Sequence, residues 1–249
     1  MEAAVRPVAE TPASPEISAP MLDVHAPHES IYTWKGFFIH IAIIVIGLLI
    51  AISLEQTVEY FHHRTVVAET REALRRERND NIRHFADATA EFRRAINVAQ
   101  NNLAILLYVQ QHPDAPYAKA PGKINWHFHV LMAADDSAWE TARQNAVTAL
   151  MPQDEVRRSA RLYKDLASVE AAANEWLRAI RDARRYTVQN SDPTSLTPAQ
   201  IVSEIELTKT DLAVMYRYGS DMRNLSSDFP DFTPAPTTEE LYKIVHETD

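Results

Sequence analysis

The chain has 249 residues, a net charge of −9, 46% hydrophobic residues, 4 glycines against 14 prolines, and no cysteine. The acidic balance argues against a nucleic-acid partner. The scarcity of glycine disfavours turn-rich β folds and dinucleotide-binding units, whose tight turns need positive φ. The missing cysteines exclude disulfides, thiolate nucleophiles and cysteine–zinc sites.

In chain order, residues 1–33 are rich in Ala, Pro and Glu without hydrophobic period, which predicts a disordered tail. Met21 within it is a second candidate start of translation. Residues 34–54 then predict a transmembrane helix. From Gly36 to Leu54 the one strongly polar side chain is His40. At ~1.5 Å per residue this run spans ~28 Å, close to the ~30 Å hydrocarbon thickness of a bilayer. Tyr32 and Trp34 flank one end and Tyr60 the other, where amphipathic rings favour headgroups. Lys35 can reach outward to water. Ala51-Ile52-Ser53 has the small-x-small form of a cleavage site. No basic segment precedes it, and the apolar run exceeds the ~7–15 residues of a signal peptide, so the anchor is expected to stay uncleaved.

Two features of this run carry chemistry. Gly47 and Ala51 form a small-xxx-small pair that lets two helices approach, so they are the candidate residues for a homodimer. His40 is an ionisable group within the apolar run, a position that marks function by default.

Residues 55–84 predict a charged helical stalk. Thr65–Tyr108 holds neither Gly nor Pro, and Glu72/Arg76 and Asp80/Arg83 stand at helical spacing. Residues 85–229 predict the bundle domain. Phe85, Phe92, Ile96, Ala99, Leu103 and Leu106 give the long helix a core face, ended by Pro113 and its neighbours. Lys123–Met132 alternates, which predicts a short extended segment. Ser137 to Glu140 reads as a capping box opening a helix to about Met151, and Pro152 starts the next. That helix carries a stripe of Ala160, Tyr163, Leu166, Val169, Ala173, Trp176, Ile180 and Ala183. Thr197 to Gln200 is a second capping box with Pro198 at the first helical position. It opens the coiled-coil-like heptad Ile201, Ile205, Thr208, Leu212, Met215, Gly219, Met222. Residues 230–249 predict a tail with a short helix. The fold class is thus all-α: one N-terminal transmembrane helix continuing into a stalk, then an antiparallel helical bundle.

The run Ile39–Glu59, with its Gly47-Leu48-Leu49-Ile50-Ala51 core and polar residues just after it, resembles the anchor of a family of bacterial single-pass membrane proteins. Ser137-Ala138-Trp139-Glu140-Thr141-Ala142, followed by Ala149-Leu150-Met151-Pro152, is similar to a second stretch of that family, and Met21–His28 resembles its N-terminus. The family has no established function, so the resemblance implies an inner-membrane location and no active site.

The remaining polar clusters have structural explanations. His62 and His63 follow Glu55 and Glu59 where the helix would leave the membrane. Glu59 and His63 can pair at i,i+4, but adjacent histidines point ~100° apart on a helix and suit one metal poorly. His25 and His28 lie in the tail. His127 and His129 share one side of an extended segment without a local acidic ligand. Asp135 and Asp136 could form a carboxylate pair, but their place before Ser137 suits a helix N-terminus. Trp139, Trp176 and Tyr163 read as core. No metal, cofactor or catalytic constellation is expected.

The function expected is a non-enzymatic, membrane-anchored scaffold or binder of a protein partner. The alternative is a sensor-like ligand-binding domain that acts through a partner protein, since the N-terminal ~33 residues are too few to fold as a signalling domain. For orientation, Arg64 and Arg71 against Lys35 place the C-terminal domain in the cytoplasm. The resemblance implies the opposite, and the extracytoplasmic side is expected, because long domains cross largely regardless of charge.

Overall fold

The computed structural model describes residues 33–126, 132–188 and 191–246. The alternating segment 123–132 is thus described only in part, and the tail before residue 33, with His25 and His28, lies outside the described residues, as do His127 and His129. The described residues form five α-helices and no strand: α1 (Trp34–Gln111), α2 (Ser137–Gln144), α3 (Gln153–Ala183), α4 (Pro198–Asp228) and α5 (Thr238–His246). The chain divides into two compact units, Met1–Thr57 and Val58–Asp249.

In the first unit the N-terminal part of α1 is long and apolar enough to cross a membrane, and none of its apolar window is buried. Ile43 is 63% exposed and Leu54 66%. The polar groups here close on the helix itself. The Ser53 and Thr57 hydroxyls donate to the carbonyls of Leu49 and Ser53, each at 2.7 Å. Both hydroxyls are thereby satisfied within the helix.

The second unit is a helical bundle. Phe85, Phe92, Ile96, Ala99, Leu103 and Leu106 of α1, the α3 stripe from Tyr163 to Ala183, and all seven residues of the α4 heptad are buried. Helix directions follow from residue pairs. Arg71, Glu77 and Phe92 of α1 meet Glu155, Tyr163 and Trp176, so α1 and α3 run parallel. Phe92 meets Tyr218, and Arg78 meets Asp231 just beyond α4, so α4 runs antiparallel to α1. Between α1 and α2 the described residues on either side of 127–131 both lie against α1, Asn125 beside Asn102 and Asp135 beside Asn81. Gly219 sits where helices approach most closely. A Cβ there would stand 2.5 Å from both Phe92 Cζ and Leu241 Cδ2, which explains a glycine in mid-helix.

Several expectations shift. The capping box of Thr197 and Gln200 forms as read, with Pro198 at the first position. Ser137 is instead the first residue of α2, after Asp136, whose side chain caps nothing. The helix expected to reach Met151 breaks after Gln144. Ala146 takes a left-handed backbone (φ 55°), and a 3-10 turn Val147–Leu150 follows. Glu72 pairs with Arg75 at i,i+3 rather than with Arg76. Part of the stretch read as a stalk, 55–84, packs within the bundle unit, where Val67, Glu77 and Asn81 are buried. The segment read as a tail, 230–249, also packs: Phe232, Leu241 and Ile244 are core residues. Arg78 holds Asp231 at 2.7 Å and lies over the Phe229 and Phe232 rings. Arg93 holds Glu240 at 2.5 Å.

Candidate functional site

Burying a polar side chain costs free energy unless a partner satisfies it, so buried polar residues mark where a fold commits to a specific arrangement. In this bundle they form two groups.

The first group lies on α1 and faces the described chain between α1 and α2. The amide of Asn102 clasps the backbone of Asn125, donating to its carbonyl at 2.8 Å and accepting from its N–H at 3.0 Å. Asn81 does the same to Asp135, at 2.7 and 2.8 Å. Tyr117 adds a hydroxyl that accepts from the Ile124 N–H at 2.8 Å. One turn before Asn81, Glu77 gathers three elements. Its Oε2 accepts from the Ala138 N–H at 2.5 Å and the Ser137 hydroxyl at 3.2 Å, while its Oε1 accepts from the Trp139 N–H at 3.4 Å and the Tyr163 hydroxyl at 2.5 Å. A carboxylate from α1 therefore caps α2, the task first read as that of a local capping box. The ring of Trp139 stacks flat on Tyr163, with centroids 5.4 Å apart and planes 4° from parallel. Burial, reinforced by the Glu77 bond, pushes the Tyr163 hydroxyl pKa upward.

The second group is a row on α4. Glu204, Asp211 and Tyr218 recur every seven residues, and all are buried. Glu204 Oε1 accepts from the Thr187 hydroxyl at 2.7 Å, and Thr187 in turn accepts from the Trp126 indole at 2.8 Å. Asp211 accepts from the Trp176 indole at 2.9 Å. The Tyr218 hydroxyl accepts from the Met132 N–H at 3.2 Å. Burial pushes the Asp211 carboxyl up to about 7 and the Tyr218 hydroxyl up to about 12. Burial also raises Glu204, whose Oε2 has no hydrogen-bond partner.

On the surface, a groove of about 340 Å³ runs between α4 and α5, with Leu241 in its lining and Tyr216, Tyr242, Ser220, Asn224 and Arg223 around it. A second groove, of about 360 Å³, lies where Val66 to Ala73 of α1 pass Ser137 to Val147. Glu77, Glu204 and Asp211 line neither.

The residues singled out from sequence fall as follows. His40, Gly47 and Ala51 are all exposed on α1, and no side chain or other backbone lies within 4 Å of a Cβ built at Gly47. With spacings of i,i+7 and i,i+11, Gly47 and Ala51 each lie within ~20° of His40, so the three share one stripe ~40° wide. His63 pairs with Glu59 at 3.6 Å, while the His62 and His63 rings diverge. Asp135 accepts from the Ser137 N–H at 3.1 Å, and Ser137, through its side chain first and its backbone second, pulls the Asp135 pKa down, so it serves the start of α2. Trp139, Trp176 and Tyr163 are core residues. Among the described residues, no three His, Asp or Glu side chains gather as a metal would need. The α4 row lies outside the apolar heptad read from the sequence, which follows hydrophobic residues only. Its seven-residue period beside the apolar heptad was the available signal.

No family model, curated protein or solved structure matches this chain.

Proposed function

We propose that the chain is a single-pass membrane protein whose helical bundle binds or scaffolds a protein partner and carries out no catalysis. The observation that carries the anchor is the first part of α1, a helix apolar on every side with none of its apolar window buried. In water such a surface is a large uncompensated cost, and in lipid it is the ordinary state of a spanning helix. The resemblance of Ile39–Glu59 to bacterial membrane anchors agrees with this. An inner-membrane location with the bundle on the extracytoplasmic side follows from that resemblance. A homodimer seamed along Gly47 and Ala51 rests instead on their small-xxx-small spacing, since glycine and alanine let helix backbones approach in lipid.

Two features support binding over catalysis. The buried carboxyls serve internal bonds rather than the surface grooves. The α4–α5 groove instead offers two exposed tyrosines and Arg223, the residue types that dominate protein-binding hot spots. The test is fractionation. The full chain should stay with membranes through an alkaline wash, and a chain lacking residues 34–54 should move to the soluble fraction. Recovery of a mature chain beginning near Leu54 would overturn the anchor. A reporter fused after Asp249 decides the side.

A further inference from the structure

The α3–α4 interface carries an unusual set of acidic groups. Asp211 is 3% exposed and Glu204 fully buried, both on the face of α4 turned to the core. Their bonding partners are neutral: an indole N–H for Asp211 and a hydroxyl for Glu204. Asp165 of α3 and Asp221 of α4 add two further carboxyls, partly buried, and the Oδ2 of Asp165 is also without a partner. The ion pairs of this interface, Arg217–Glu175 and Arg161–Asp228, run along its exposed edges and engage other carboxylates. By contrast Asp231 and Glu240, packed on α1, each face an arginine.

We propose that the α3–α4 interface is a proton-responsive joint, tight when Asp211 and Glu204 are neutral and looser when they ionise. The physical reason is the cost of a charge in a low-dielectric core without a counter-charge. Trp176 from α3 faces Asp211, with Phe92 of α1 and Tyr218 of α4 packed on the Trp176 ring, and no charged group acts on that carboxyl. Glu204 is faced by Thr187 and by the N–H groups of Tyr186 and Thr187, with the Arg185 cation a weaker influence. Asp165 feels Asp228 against Arg161 and Lys164, and Asp221 feels Arg217. In all four, burial is the largest influence and raises the pKa.

The direction follows by linkage. An unfolded Asp releases its proton near pH ~3.9, whereas folded Asp211 holds it to about 7. Between these values the folded state binds more protons, so stability is greatest at the acid end and declines as pH rises through about 7. Glu204 acts in the same direction. Asp135, Asp231 and Glu240 have lowered pKa values and act oppositely, but only as pH falls through the acid range.

The test is the thermal melt of the full chain in detergent between pH 5 and pH 8.5. The Tm should fall, by on the order of 5 °C, as pH rises across this window. Asp211→Asn with Glu204→Gln keeps a carbonyl acceptor in each place and cannot ionise, so this variant should flatten the profile. Glu206→Gln, on the exposed face of α4, should leave the slope as it is. A wild-type Tm that is flat or rises with pH overturns the proposal, and so does an unaltered slope in the double variant. Should that variant fail to fold, the Trp176 indole N–H resonance of the wild type decides. It must titrate near neutral pH, and a shift that stays constant from pH 5 to 8.5 refutes the joint.

Discussion

The two units of this chain invert each other's chemistry. In the first, Ile43, Ile50 and Leu54 all face outward, and the hydroxyls of Ser53 and Thr57 turn back onto their own helix. In the second, apolar side chains turn inward, and the interior also accepts Glu77, Asn81, Asn102, Glu204 and Asp211. These five residues are each held by a named partner, and among the described residues the buried side-chain atoms without one are Glu204 Oε2 and Asp165 Oδ2. A helix with apolar residues on all sides gains by being surrounded by lipid. A bundle in water gains by hiding apolar surface, and it can hide polar groups as well if it orders partners for them.

The sharpest way to break this contrast is to remove the first unit's apolar run. Deleting residues 34–54 should transfer the protein completely from membranes to the soluble fraction, with the helical circular dichroism and cooperative melt of the bundle retained. A deleted chain that stays membrane-bound would show that the bundle itself binds lipid. A soluble but unfolded one would show that the second unit depends on the first.

The next test lies inside the bundle, at Trp139. Its indole stacks on Tyr163 and is 6% exposed. Trp139→Ala should cost ~3–5 kcal/mol, a large share of the ~5–15 kcal/mol of a whole domain. Denaturant melts of the full chain in detergent measure it. An unchanged melt would mean that the ring is a surface feature available to a partner.

Glu77 probes whether buried polar groups specify the arrangement. Glu77→Gln keeps one acceptor oxygen and turns an NH₂ toward either the α2 amides or the Tyr163 hydroxyl. A loss of about 1–3 kcal/mol is expected, the cost of leaving buried donors without acceptors. The same denaturant midpoint reads it. No loss would mean that water already reaches the α2 N-terminus.

These residues also show what was legible in the sequence. The α4 heptad, the α3 stripe from Tyr163 to Ala183 and the Thr197 cap are local signals, set by spacing within one element, and the structure has them where the spacing put them, whereas Ala160, read as the first residue of the stripe, is exposed. The cap of α2 was misread because its acceptor, Glu77, comes from a helix 60 residues earlier, and a pattern around Ser137 contains no trace of it. The clasps of Asn81 and Asn102 are equally non-local, since an Asn that binds backbone needs no particular residue opposite. Glu204 and Asp211 carried a period but the wrong polarity for a core. Their partners, Thr187 and Trp176, become visible only when α3 and α4 are laid side by side. The break after Gln144 hinges on a left-handed Ala146, a conformation that the residue type does not announce.

The smallest effect separates surface charge from buried polarity. Arg71 grips Glu155 with hydrogen bonds of 2.8, 3.1 and 2.7 Å, joining α1 to α3. The pair's hydrogen bonds are short, like that from Ala138 to Glu77, but its side chains are 47% and 31% exposed. Water and salt therefore screen the attraction, and ordering two long side chains costs entropy. Arg71→Ala should lower stability by only ~0–1 kcal/mol, and molar salt should remove most of what there is. Arg78→Ala makes the internal control. Arg78 binds Asp231 in the same two-pronged way but is 23% exposed and covers the rings of Phe229 and Phe232. Its loss should exceed that of Arg71 and resist salt, because ring contact and packing do not depend on ionic strength as an exposed ion pair does. Equal, salt-sensitive losses at both positions would mean that the 229–244 segment is held by charge alone.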